Sequence, residues 1–251
     1  MFSIQYRDQV RDFTLHLAET DSRIVAGAVV GSLAQNEGDR WSDLDLTFSV
    51  ADSIPVSDVL EDWTAQLVET FGAVQLFDLP SGTSIYRVFL LPGCLQFDLS
   101  FTPAASFGAT GPKFKLLFGA AVEKPYYAPP SAHELFGYAV HHALRARFCI
   151  ERGRYWQAEY WISSARDYAL SLACLRRGLP VFHGRGYDQL PADIRNLFIG
   201  CFVASLEPDK LFHALRCTID ALLSETDRVH EIARDVEPQL RELQMVWDNE
   251  R

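Results

Sequence analysis

Gly31-Ser32 is followed, after ten intervening residues, by Asp43-Leu44-Asp45-Leu46, and about fifty residues later by Leu95-Gln96-Phe97-Asp98-Leu99. Two carboxylates at alternate positions of an extended segment project from one face of a strand. A third carboxylate on another short apolar strand can meet them, and a Gly-Ser turn can admit a phosphate. Two-metal nucleotidyl transfer needs such a set. A hydroxyl attacks the α-phosphorus of a nucleoside triphosphate in line with departing pyrophosphate, between two divalent ions about 3.5–4 Å apart. Magnesium takes oxygen ligands and is commonly held by one or two carboxylates plus substrate phosphates. Asp43 and Asp45 would bridge the ions and Asp98 would complete the acceptor-side one. If correctly placed, Asp98 also accepts the hydroxyl proton. Gly31 lets the backbone approach a phosphate closely. Ser32 adds a hydroxyl, and a helix starting near Leu33 would offer unpaired N–H donors.

The surrounding pattern must position these groups. Phe2, Tyr6, Val10, Phe13 and Leu17 recur at helical spacing and predict an amphipathic first helix over 2–19. The apolar run Ile24–Val30 ends at Gly31, as a buried strand does when it feeds a tight turn. Leu44, Leu46, Phe48 and Val50 alternate with Asp43, Asp45, Thr47 and Ser49, a period-two strand whose polar face begins with both acids. A helix is expected over 53–71, with Pro55 near its start and Val59, Leu60, Trp63, Leu67 and Val68 on its apolar stripe. Strands are expected over 74–79 and 84–91 around Pro80-Ser81-Gly82, and over 95–101 after Leu91-Pro92-Gly93. Together they predict a small mixed sheet of four or five strands with flanking helices, an α+β arrangement without repeating βαβ units.

The β signal fades after Pro103. A short helix over 113–118 and a proline-rich linker over 123–130 are expected, followed by long helices over 132–153 and 154–177 broken at Arg152-Gly153-Arg154. A loop follows over 178–190. Pro191 opens another helix, and 209–228 and 228–247 supply the last helical material. The expected division is an α+β domain over 1–105, a linker with a short helix over 106–130, and an all-α helical bundle over 131–251.

Composition narrows the classes. No apolar run approaches the ~20 residues of a membrane span, and the first ten residues lack a signal peptide's apolar core. A cytoplasmic protein without membrane contact is the expectation. The five cysteines Cys94, Cys149, Cys174, Cys201 and Cys217 contain no C-x-x-C pair, which suits reduced thiols and argues against structural zinc. His141 and His142 point about 100° apart on a helix, so they do not share an ion. A net charge of −10 without a Lys/Arg run argues against a nucleic-acid partner. It suits a cationic acceptor, or simply solubility.

Two other stretches are candidates. In Glu151-Arg-Gly-Arg-Tyr-Trp-Gln-Ala-Glu-Tyr-Trp161, Glu159 either faces a cleft and reads cationic groups or is a plain surface acid. Trp156, Tyr160 and Trp161 are expected in the core of the helix junction, packed against the sheet domain. In Phe182-His-Gly-Arg-Gly-Tyr-Asp188, flanking glycines would let the Arg185 guanidinium reach phosphate oxygens in a fork. Lys113 and Lys115 follow the third acidic strand and are expected to be merely solvated.

Gly31-Ser32, a loop ending in Trp41-Ser42, then Asp43-Leu44-Asp45-Leu46 and a later strand bearing Asp98 together resemble the DNA polymerase beta-like nucleotidyltransferase superfamily. More narrowly, the chain is similar to the aminoglycoside nucleotidyltransferases, antibiotic adenylyltransferases that join a nucleotidyltransferase domain to a helical C-terminal domain. The motif spans roughly 24–101 and the helical half matches loosely. The resemblance implies a nucleotidyltransferase fold and an adenylyltransferase active in antibiotic resistance, moving AMP from ATP to a hydroxyl of a small molecule with Mg2+. By position it implies that Gly31 and Ser32 bind the triphosphate and that Asp43, Asp45 and Asp98 hold metal. The general base is open between Asp98 and a glutamate of the helical domain, Glu151 or Glu159, which are also the candidate acceptor contacts. The alternatives are a catalytically weak or inactive regulatory or antitoxin-like partner with the same fold, and an enzyme that modifies protein hydroxyls.

Overall fold

The computed structural model describes residues 1–35 and 37–245; the expected helical residues 246 and 247 lie outside them. The chain divides between Tyr127 and Ala128 into two compact units. Among the described residues no helix is long and apolar enough to cross a membrane.

The N-terminal unit is an α+β assembly. Helix α1 (Ile4–Thr20) opens where the Ser3 hydroxyl accepts the Tyr6 N–H at 3.0 Å, satisfying one of the free donors of its first turn. It buries Val10, Thr14, Leu17 and Ala18. Strand β1 (Ile24–Val30) runs into a 3₁₀ turn over Gly31–Gln35, and β2 (Leu44–Val50) follows. Helix α2 (Val56–Phe71) ends at Gly72, whose φ of 64° closes the helix in the left-handed region. Strands β3 (Val74–Ser81), β4 (Ser84–Leu91) and β5 (Leu95–Pro103) come next, and β6 (Phe114–Phe118) completes the sheet.

Among the described residues the six strands lie in the order β3-β4-β5-β2-β1-β6. The β2–β5 pair is parallel and the others are antiparallel. One sheet face carries Leu44, Leu46, Phe48, Phe89, Phe97, Leu99 and Phe101 into a core shared with Val10, Leu17, Val59, Leu60, Trp63 and Leu67 of the first two helices. Trp63 meets the rings of Phe48 and Phe101 edge-on at 5.1 and 5.0 Å. On the opposite face Ala26 and Ala28 pack under Phe107 and Phe114.

Residues 114–118 are a strand, not the expected helix. Five residues flanked by Pro112 and Gly119 are too few for a self-sufficient helix, and antiparallel pairing with β1 satisfies their backbone. The sheet therefore has one strand more than the upper expectation, and β structure continues past Pro103.

The C-terminal unit is helical: α3 (Ala132–Glu151), α4 (Tyr155–Arg176), α5 (Ala192–Leu197), α6 (Pro208–Ser224) and α7 (His230–Leu243). Ser131 and Glu134 cap α3 reciprocally in a capping box. Helices α3 and α4 meet largely through small side chains, with Ala139, Ala143 and Ala146 on one and Ala158, Ala165 and Ala169 on the other all buried. The buried Arg147 guanidinium donates at 2.7 and 2.6 Å to the carbonyls of Leu243 and Met245, tying α3 to the end of α7. Buried Glu225 receives Arg176 and Arg177 at 3.2 and 2.9 Å, joining the end of α4 to the end of α6.

Candidate functional site

The parallel register of β2 and β5 sets Asp45 opposite Asp98. Asp43 precedes β2 by one residue, two positions from Asp45, so the three half-buried carboxylates converge. One oxygen from each lies within 4.8 Å of the others. Strand-to-strand hydroxyl pairing of Thr47 with Ser100 at 2.8 Å fixes the register one step deeper along the same face.

The glycine turn lies against this group. Gly31 has φ +71°, and a Cβ there would collide with Asp45 Oδ2, so the carboxylate occupies space that only glycine leaves. Ser32 sits in the 3₁₀ turn Gly31–Gln35, a single short turn in place of the expected helix near Leu33. The turn is tied to the residues before β6. The Gly31 N–H donates to the Lys113 carbonyl at 3.1 Å, the Gln35 amide to the Pro112 carbonyl at 3.2 Å, and Lys113 Nζ pairs with Glu37 at 2.6 Å. The Lys113 ammonium is thus matched by a carboxylate, and Lys115 is exposed on β6.

Two further residues position the acids. Gln96 donates its side-chain amide to Asp98 Oδ1 at 3.0 Å. Arg7 of α1 is buried and donates at 2.7 Å to the carbonyls of both Asp39 and Ser42, clamping the loop that delivers Asp43. Within that loop the Asp39 carboxylate accepts the Trp41 N–H at 2.8 Å and the Ser42 hydroxyl at 3.1 Å. The Arg7 contacts reach across the sequence and follow from the fold alone, hinted at only by an arginine on the otherwise buried stripe of α1, whereas Gln96 and Asp98 stand two residues apart on β5.

Burial pushes the Asp98 carboxyl above its ordinary value and the neighbouring Asp43 charge adds to the rise, while the Gln96 amide opposes it. Three carboxylates at this separation repel unless a cation lies among them. An all-oxygen donor set is the kind that magnesium or calcium takes, so the residues present fit a hard divalent cation.

No protein-family model and no curated protein matches the chain. Among solved structures it is similar to an aminoglycoside 6-adenyltransferase from Bacillus subtilis, at 12% identity and a TM-score of 0.40, over 96% of this chain and 99% of that one. It is similar to the CdnE cyclic dinucleotide synthase of Elizabethkingia meningoseptica at 11% identity and a TM-score of 0.32, over 97% and 84%. The nucleotidyltransferase toxin MenT4 of Mycobacterium tuberculosis matches at 16% identity and a TM-score of 0.25, over 96% and 93%. At such identities and scores the likeness carries no argument about the site, which is read from its own geometry.

The remaining sequence candidates lie in the C-terminal unit. Glu151 forms an ion pair with buried Arg147 at 2.7 Å. Glu159 accepts the Ser163 hydroxyl at 2.7 Å one turn along α4. Arg185 is exposed on the loop before Tyr187, its N–H closing a turn onto the Phe182 carbonyl at 3.2 Å. The core placement of Trp156 and Tyr160 does not hold: they are 81% and 59% exposed. The buried stripe of α4 runs through Ala158, Ile162, Ala165 and Ala169, and residues 156 and 160 lie off it. Trp161 is half-buried, with its ring 4.8 Å from that of His142.

The same unit contains a cavity of about 940 Å³, walled by Tyr138 and Tyr168 together with Phe182, His183 and Tyr187 of the candidate loop 182–188. Tyr138 and Tyr168 stack at 5.1 Å, and the Tyr187 hydroxyl donates to the Asp167 carbonyl at 2.8 Å. Its walls come from four separate segments, so no single motif announces it.

Proposed function

We propose that the protein is an adenylyltransferase, transferring AMP from ATP to a hydroxyl of a small molecule with Mg2+ at Asp43, Asp45 and Asp98. The convergence of these three carboxylates within 4.8 Å carries the reading. When bound, the metal ions would lower the pKa of the attacking hydroxyl and neutralise charge on the phosphate oxygens. Gly31 admits the triphosphate against the backbone, and Ser32 offers a hydroxyl to it. The acceptor oxygen forms its bond to the α-phosphorus as the α–β bridging P–O bond breaks. Pyrophosphate departs with the electron pair, and Asp98 takes the hydroxyl proton. Gln96 holds the Asp98 carboxylate through Oδ1.

Arg185 is proposed as a second phosphate contact, with Glu151 and Glu159 as acceptor contacts. Glu151 is engaged by Arg147 and Glu159 by the Ser163 hydroxyl. An aminoglycoside-like antibiotic is one acceptor of the proposed kind, in a cytoplasmic enzyme.

The test is a mass-spectrometric screen for AMP adducts over hydroxylated compounds with ATP and Mg2+, coupled to pyrophosphate release. The reading requires an adduct and stoichiometric pyrophosphate with the native protein, and neither with folded Asp43→Asn. Equal turnover by that variant overturns it.

A further inference from the structure

We infer that the acceptor hydroxyl belongs to a small molecule with an apolar face, an aromatic or branched aliphatic group beside the reacting oxygen, seated on the β3–β4 hairpin. The inference rests on the proposed nucleotidyl transfer and adds the acceptor's chemistry to it.

Strand order and in-line geometry set the direction. The Gly31-Ser32 turn continues from β1, and the acids stand on β2 and β5. In-line displacement places the attacking oxygen opposite the departing pyrophosphate. With the triphosphate on the β1 side, the acceptor approaches from the other side of Asp98. The sheet continues there as β4 and then β3.

Register gives the side chains that await it. Cross-strand partners share a sheet face. On the face that bears Asp98 and Gln96, Val88 is opposite Asp98 and Leu90 opposite Gln96, and one strand further Phe77 is opposite Val88 and Val74 opposite Leu90. At a strand spacing of about 4.8 Å, this row extends roughly 10 Å outward from the acids. Val88, beside Asp98, is buried, and the open surface is made by Leu90, Phe77 and Val74, which are 40, 49 and 57% exposed. The two charged residues of the hairpin face the other way. Asp78 and Arg87 pair at 2.7 Å, and Arg87 also donates to Thr64 of α2 at 2.8 Å. An uncharged apolar shelf thus runs in register from the acid triad.

Methyl β-glucoside and phenyl β-glucoside present the same ring hydroxyls and differ in one apolar group, so their binding by ligand-observed NMR titration tests the shelf. The expected result is binding of the phenyl compound about tenfold tighter, a size set by burying one ring face. In Phe77→Glu/Leu90→Glu the preference should fall to near unity, and in the native protein the phenyl compound should shift the Leu90 and Phe77 amides. Equal or undetectable binding of both glucosides, or shifts confined to other residues, overturns the inference. Metal-dependent binding of a non-hydrolysable ATP analogue, measured on the same native sample, reports separately on the triad. Its absence would end the nucleotidyl-transfer reading while the glucoside comparison still decides the shelf.

Discussion

Asp45 on β2 and Asp98 on β5 stand directly opposite one another across the parallel pair at the centre of the sheet, and Asp43 joins them so that one oxygen from each lies within 4.8 Å of the others. Like charges at this distance cost stability when no cation lies among them. In chelator, Asp43→Asn should be as stable as the native protein or more so, by about 0.5–1 kcal/mol. Added Mg2+ should reverse the order by stabilising the native protein more. Thermal unfolding of both proteins with and without Mg2+ measures this.

Gly31→Ala should be costly at both the turn and the acids. The residue has φ +71°, and the added methyl displaces the Asp45 carboxylate. A loss of about 1–2 kcal/mol is expected in chemical denaturation, with weaker Mg2+ binding. Ser32→Ala, with no backbone constraint of that kind, should keep native stability and lose affinity for nucleotide.

Arg7 acts on the site through the loop it holds. Arg7→Met removes the donors for the Asp39 and Ser42 carbonyls and should destabilise the N-terminal unit by about 1–3 kcal/mol. Hydrogen exchange should quicken over residues 39–43. A stability loss without faster exchange there would mean that the arginine does not position the loop.

Glu151 is held by Arg147, whose guanidinium is almost wholly buried. Arg147→Leu strips the Leu243 and Met245 carbonyls of their donors and should cost about 3 kcal/mol in the helical unit. Glu151→Gln should cost less, because the Arg147 guanidinium keeps the Leu243 and Met245 carbonyls as acceptors. Denaturant titration followed by tryptophan fluorescence distinguishes the two.

Acid sensitivity has a traceable source at Asp21. Its carboxyl is held down to about 2, first by the Arg23 side chain and then by the Trp63 indole N–H and the Arg23 backbone, against the opposing effect of burial. A folded-state value below the unfolded one of about 3.8 gives stability that is complete above that pH and is lost as the pH falls towards 2. Unfolding free energy measured from pH 5 to pH 2 should decline, and Asp21→Asn should flatten that decline while lowering stability at pH 7.

Periodic elements were legible because their burial is written in the order of residues. The alternation from Leu44 to Val50, the compact run Ile24–Val30 and the helices on either side of Gly153 all appear at or near their expected bounds. Strand β6 was not legible: Phe114–Phe118 acquires strand structure only through pairing with β1, a partner more than eighty residues away. The aspartates could be named because their spacing is itself the signal. Gln96 and Arg7 could not, since a glutamine and an arginine acquire meaning only from the carboxylate and carbonyls they reach. Trp156 misled because hydrophobicity suggested burial, whereas the alanine stripe of α4 decided which face packs.

The central claim is that Asp43, Asp45 and Asp98 hold nucleotide through a divalent cation. Isothermal titration of the native protein with a non-hydrolysable ATP analogue, in Mg2+ and again in chelator, tests it most directly. The account predicts saturable binding with Mg2+, its loss in chelator, and its loss in folded Asp43→Asn/Asp45→Asn. Binding of equal affinity in chelator, or none in Mg2+, would contradict it.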